Sequence, residues 1–196
     1  MPFVPPGKPA LPNQFMDAGE ISRDNEIAIV NPFVATDVVG VLRERGWGGA
    51  VLSAEQVAWC ERAAFLLGSQ VADRDGLADL LGLVFAYDAA RAMRDVESHG
   101  VMSRYAARDV IRLLARLVLD GGACTPERFS EIVTVMKAEL DIRGRELFHP
   151  LRLALTGRAG EGGLDRVILL LDAARDAGFE VKKVRERMVE FCSVLE

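Results

Sequence analysis

The chain has 196 residues, 50% of them hydrophobic and 27% charged, with 24 basic and 29 acidic side chains and a formal net charge of −5. That balance can bury a sizeable core and excludes a wholly disordered chain. The acidity argues against a protein built mainly to grip nucleic acid. Residues 1–24 carry Pro2, Pro5, Pro6, Pro9 and Pro12; each removes a backbone donor, so this stretch reads as a flexible or extended arm. Ile27, Ile29 and Val30 fit either a short strand or an apolar anchor, ahead of a turn at Asn31-Pro32. Thr36 to Arg45 reads as a short helix ended by Gly46. Ser53-Ala-Glu-Gln56 is a capping box, opening a helix with Val57, Ala64 and Leu67 inward. Leu77, Leu80, Leu81, Val84 and Phe85 repeat at helical spacing, and Met93 and Val96 extend that face. Tyr105, Ile111, Leu114 and Leu117/Val118 predict a further helix, stopped by Asp120-Gly121-Gly122. Thr125-Pro126-Glu127 starts another, with Phe129, Ile132, Val133, Met136 and Leu140 inward. Two last helices are expected over 164–177 and 181–194, the second burying Val181, Val184, Met188 and Phe191. The predicted fold is all-α: a helical bundle in two packed subdomains, 25–122 and 123–196, divided at Gly121-Gly122.

Cys60, Cys124 and Cys192 are far apart with no CxxC pair, which reads as three reduced thiols in a cytoplasmic protein. Only His99 and His149 are present, and neither lies by a GxSxG elbow. No phosphate-cradling GxxxxGK[ST] loop or metal-ligand spacing occurs. The sequence therefore nominates no catalytic residue, no metal and no cofactor. No uncharged apolar run approaches the ~18 residues of a membrane span, and no basic-then-apolar leader opens the chain. Neither a membrane nor DNA is an expected partner.

Residues 145–171 read RELFHPLRLALTGRAGEGGLDRVILLL. His149-Pro150 should start a short helix, with Leu151 and Leu155 inward. Arg152 and Thr156, four apart, share another face and would present a guanidinium and a hydroxyl together. The helix should end at Gly157, where a glycine-rich loop lets a ligand approach the backbone.

This stretch closely resembles the C-terminal anticodon-binding region of bacterial-type glutamyl-tRNA synthetases. That family's motif, Leu-Phe-x-Pro-Leu-Arg-x-Ala-Leu-Thr-Gly, stands here as Leu147 to Gly157, followed by Gly162-Gly163-Leu164. The resemblance covers roughly residues 125–196; more weakly, Trp59 to Met102 is similar to the family's helical domain that joins the catalytic body to the anticodon end. It implies that the C-terminal subdomain is like a class I synthetase anticodon-binding domain. It also implies that Arg152 reaches anticodon bases, that Leu164 packs near the last one, and that Glu161 lies close by. Arg145 and Arg158, with Arg143, Lys182, Lys183, Arg185 and Arg187, are candidate RNA backbone contacts. No HIGH-type or KMSKS-type motif is present, and no strand–helix alternation of a nucleotide-binding domain. The expectation is a non-catalytic module that binds the tRNA anticodon loop, in trans beside a synthetase or independently. The alternative is a protein–protein adaptor that keeps the fold and has lost RNA binding. Charge is unevenly spread: residues 1–140 carry 14 basic and 19 acidic groups, whereas residues 141–187 carry 10 and 8, net +2.

Overall fold

The computed structural model describes residues 31–160 and 163–195. The expected arm over 1–24, the apolar residues Ile27, Ile29 and Val30, and Glu161 lie outside the described residues. Ten α-helices follow one another, with no strand among the described residues: α1 (Ala35–Glu44), α2 (Ala54–Leu67), α3 (Arg74–Phe85), α4 (Ala89–Ala92), α5 (Val96–Met102), α6 (Ala107–Leu119), α7 (Pro126–Leu140), α8 (Arg145–Thr156), α9 (Leu164–Asp176) and α10 (Val184–Ser193). The all-α expectation holds.

Local chemistry sets the helix starts. Ser53 Oγ accepts from the Gln56 amide at 3.2 Å while Gln56 Oε1 accepts from the Ser53 amide at 3.0 Å, a reciprocal cap on α2. Thr125 Oγ1 accepts from the Arg128 amide, with Pro126 as the first residue of α7. The single helical face expected from Leu77 to Val96 is broken instead into α3, α4 and α5. Asp88 accepts from the Arg91 amide at 2.8 Å and Asp95 from the Glu97 amide at 3.0 Å. Each carboxylate restarts a helix where periodicity alone would continue one. Val96, beside such a cap, is exposed, as is Tyr105, which stands in the turn before α6. Val57 is also exposed; the inner face of α2 is Trp59, Cys60, Ala63, Ala64 and Leu67.

Helix α8 begins at Arg145, one turn before the expected start, and carries Pro150 inside it. Leu147 is fully buried, four residues ahead of buried Leu151, so the apolar stripe starts upstream of the proline. Past the first turn, Pro150 removes one backbone bond, the one its N–H would give to the Glu146 carbonyl. α8 is the central helix: α5, α6, α9 and α10 all pack on it, and every residue from Leu151 to Thr156 is buried. Gly157 then closes it in the left-handed conformation, φ 70°. Helices on both sides of Gly121-Gly122 share one core, with α2 and α3 on α9 and α6 on α8 and α10.

Ends of helices inside a core leave carbonyls that must find donors. Arg187 of α10 supplies them. Its side chain is fully buried, with Nη1 donating to the Leu83 and Leu155 carbonyls at 2.8 and 2.7 Å, Nη2 to that of Val84, and Nε to that of Lys182 at 3.0 Å. The Tyr87 ring lies 4.6 Å below the guanidinium. The Tyr87 hydroxyl donates to the Ala154 carbonyl at 2.7 Å, and its oxygen also lies 3.0 Å from the Arg187 carbonyl. Burial pushes the Arg187 guanidinium down to about 10, which leaves it a cation at neutral pH. Substituting Met at Arg187 strands the last-turn carbonyls of α3 and α8, so urea unfolding should show a loss of at least about 3 kcal/mol. A loss below about 1 kcal/mol would contradict this assignment.

Candidate nucleic-acid interface

Because α8 is buried over its whole second half, Arg152 cannot lie on an open helix face. It is 9% exposed, beneath a cleft of about 240 Å³ lined by Gly144, Arg145, Phe148, His149, Arg152, Gly160 and Leu164. The cleft gathers residues of α8, the loop after it and the first residue of α9. Arg145, Arg152 and Leu164 are thus brought together. Phe148 and His149 were not nominated, although positions 145, 148, 149 and 152 recur at helical spacing. Phe148 stands partly exposed at the mouth, with Lys137 Nζ 5.6 Å from its ring centre.

The electrostatics of Arg152 are unusual. Its Nε and Nη1 are buried with no hydrogen-bond partner, whereas a buried guanidinium ordinarily spends its donors on oxygens. Burial, and then the neighbouring Arg158 cation, pull its pKa below the ordinary arginine value. A methyl group on Gly163, the left-handed residue that precedes α9, would come within 3.8 Å of Nη1. The guanidinium therefore faces the positive end of a helix dipole. An oxygen acceptor entering the cleft would satisfy the Nε and Nη1 donors and offset the cost of burying the charge.

The other nominated residues are placed differently. Thr156 is buried and donates to its own helix, at 2.7 Å to the Arg152 carbonyl, so it presents no hydroxyl to the cleft. Arg158 is exposed, 3.8 Å from Asp79, and lines a separate mixed-charge cleft with Arg91, Asp88 and Glu97. Arg187 cannot touch RNA, being fully buried. Lys182 pairs with Glu190, Lys183 with Asp176 at 2.6 Å, and Arg185 Nη1 donates to the Leu119 carbonyl at 2.6 Å. His99 Nε2 binds the Met93 carbonyl at 2.7 Å, a contact between helix ends and not a catalytic pairing. Burial pushes the Cys60 and Cys124 thiols up to about 11, so neither is a nucleophilic thiolate. Among the described residues no group of three or more His, Cys, Asp or Glu could hold a metal ion, and no helix is long and apolar enough to cross a membrane.

Comparison with curated proteins finds three glutamate–tRNA ligases. Glutamate–tRNA ligase 2 of Syntrophus aciditrophicus (strain SB) is 31% identical over 84 residues, 43% of this chain and 15% of that protein. Glutamate–tRNA ligase of Sulfurihydrogenibium sp. (strain YO3AOP1) is 32% identical over 82 residues, 42% of this chain and 16% of that protein. Glutamate–tRNA ligase 1 of Syntrophomonas wolfei subsp. wolfei (strain DSM 2245B / Goettingen) is 25% identical over 132 residues, 66% of this chain and 25% of that protein. This chain is similar to part of the glutamate–tRNA ligases. The matches span 15–25% of those ligases' length, so the likeness is to a region and does not carry the ligases' activity. No family model and no solved structure matches.

The Arg152 geometry separates a ligand-binding arginine from a structural one. Methionine keeps most of the buried stem and removes the unpartnered charge. Arg152→Met should leave chemical stability unchanged or raise it by about 1–4 kcal/mol in urea unfolding. A loss of more than about 2 kcal/mol would mean that Arg152 holds the fold together.

Proposed function

We propose that this chain is a non-catalytic tRNA-binding module related to glutamate–tRNA ligases, acting beside a synthetase in trans or as an independent tRNA-binding factor. Residues 123–196 form its anticodon-binding-like unit, and an unstacked anticodon base enters the Arg152 cleft. The observation that supports this most is the buried, unpartnered guanidinium of Arg152 beneath the cleft. Base edges carry the carbonyl oxygens and ring nitrogens that such a group lacks. Single-stranded bases splayed out of a loop are the usual target of sequence-selective RNA recognition, held by hydrogen bonds and by stacking on aromatic rings. Phe148 at the mouth offers such a ring, and Leu164 supplies an apolar wall. The cleft, at about 240 Å³, suits one base and is smaller than the roughly 300–1,000 Å³ of common small-molecule sites. Arg145 at the rim, with exposed Arg143 nearby in sequence, is placed for phosphate. Glu161 remains a candidate acceptor for a base amino group.

Electrophoretic mobility shift with total tRNA tests the reading. Binding is expected at low salt and should weaken only modestly as salt rises, because few phosphates are contacted by few cations. Arg152→Ala should weaken binding by about 1–3 kcal/mol, and Phe148→Ala by a similar ~1–3 kcal/mol if a base stacks there. Absence of any shift even at low salt overturns RNA binding and leaves the adaptor reading.

A further inference from the structure

We propose that the cleft between α4, α5, α6 and α10 binds a small free amphiphile, an apolar chain that carries a carboxylate head group. The ends of α4, α5 and α10 converge there on the first half of α6 and bound a space of about 440 Å³. Met93, Met102, Ile111, Ala115 and Leu195 line it, and Arg108 and Arg112 complete its wall. It shares no residue with the Arg152 cleft, so the proposal stands apart from the RNA reading.

The lining is apolar where the fold has not filled it. Ile111 is buried, whereas Met93, Met102, Ala115 and Leu195 stay half-buried although they pack against the core. Protein interiors are close-packed, so a space of this size bordered by such side chains suits an apolar body from outside the fold. Its volume falls in the roughly 300–1,000 Å³ range of small-molecule sites. Methionine is unbranched and polarisable, and so adapts to a flexible chain. A partner helix needs a groove open along several turns. Here three helix ends close a short hollow against α6.

Charge selects the head group. The lining holds two arginines and no carboxylate. Arg108 and Arg112 stand four apart on α6, so their guanidinium groups are neighbours. Both are exposed, which lets the stems lie along apolar surface while the charges reach water. Arg112 Nη1 is 3.2 Å from Asp109 on the same helix, whereas Arg108 forms no ion pair with a described residue. An unspent guanidinium beside an apolar wall matches an anion joined to an apolar chain. Its planar fork takes a carboxylate through two parallel hydrogen bonds.

Nuclear magnetic resonance of the full chain with ¹³C-methyl methionine reads the cleft directly. Met93 and Met102 are assigned by substitution with Leu, and sodium decanoate is added below its micelle-forming concentration. Their signals should move saturably, while those of Met136 and Met188, fully buried in the core and outside the lining, stay in place. Decanol and decyltrimethylammonium carry the same chain with neutral and cationic heads, and should bind at least about tenfold more weakly. Arg108→Gln should bring decanoate down to the affinity of decanol, with helix content unchanged by circular dichroism because the position is exposed. Ala115→Leu, which fills the space, should weaken all three. Decanoate that causes no saturable shift overturns the proposal. So does equal affinity for the three head groups, or decanoate binding indifferent to Arg108→Gln. Signals that move only with phosphatidylglycerol vesicles, or only with an acidic amphipathic peptide, also overturn it, because the occupant is then a membrane or a partner helix.

Discussion

The guanidinium of Arg187 answers a problem that the helical packing itself creates. α3 and α8 both end inside the protein, and the carbonyls of Leu83, Val84 and Leu155 have no water to bind there. One side chain from α10 reaches all three and the Lys182 carbonyl, with Tyr87 beneath it. A lysine could not do this, because only the planar fork directs several donors outward at once. Through that hub the C-terminal helix, the central α8 and the N-terminal α3 are held in one arrangement. The floor of the Arg152 cleft is part of α8, so its position depends on the same hub.

Arg152 is the counterpart. It is nearly as buried as Arg187, yet its donors are unspent, a second arginine stands near it, and the positive end of α9 faces it. One arginine is matched to backbone oxygens supplied by the fold; the other has buried Nε and Nη1 groups with no acceptor among the described residues. Folding tolerates such a charge where binding uses it, since preorganised, poorly solvated donors interact strongly with whatever acceptor arrives. The same contrast sharpens the overall charge argument. Of the ten basic residues over 141–187, Arg187 is consumed by the core, and Lys182, Lys183 and Arg185 are engaged by Glu190, Asp176 and the Leu119 carbonyl. The cleft draws on Arg145 and Arg152, which fits selective recognition of a base more than broad attraction to nucleic acid.

Much of this was legible in the sequence wherever the deciding physics was local. Ser53 with Gln56, Thr125 with Pro126, and Gly157 mark helix ends because a cap involves residues only three or four apart. The Leu147-to-Gly157 motif likewise led to the cleft. What escaped depends on distant partners. Arg187 sits among Lys182, Lys183 and Arg185 and reads as part of a solvated basic face. Its burial is decided by carbonyls 103 and 104 residues away. Thr156 shares a helix face with Arg152, but α8 is packed on every side there, so the hydroxyl turns back to its own backbone. Val96 and Tyr105 fit an apolar period that Asp88, Asp95 and the turn before α6 interrupt. Phe148 is readable from its four-residue spacing to Arg152, but a helix that starts at His149-Pro150 leaves it outside.

The central claim is that the unspent donors of Arg152 take an RNA base. Nuclear magnetic resonance of arginine Nε–H groups, with Arg152 assigned by substitution, reads those donors directly while tRNA is added at low salt. The account predicts that the Arg152 Nε–H signal moves on binding and that the Arg187 signal, already bonded within the core, stays in place. An Arg152 signal that does not move while tRNA binds would contradict it.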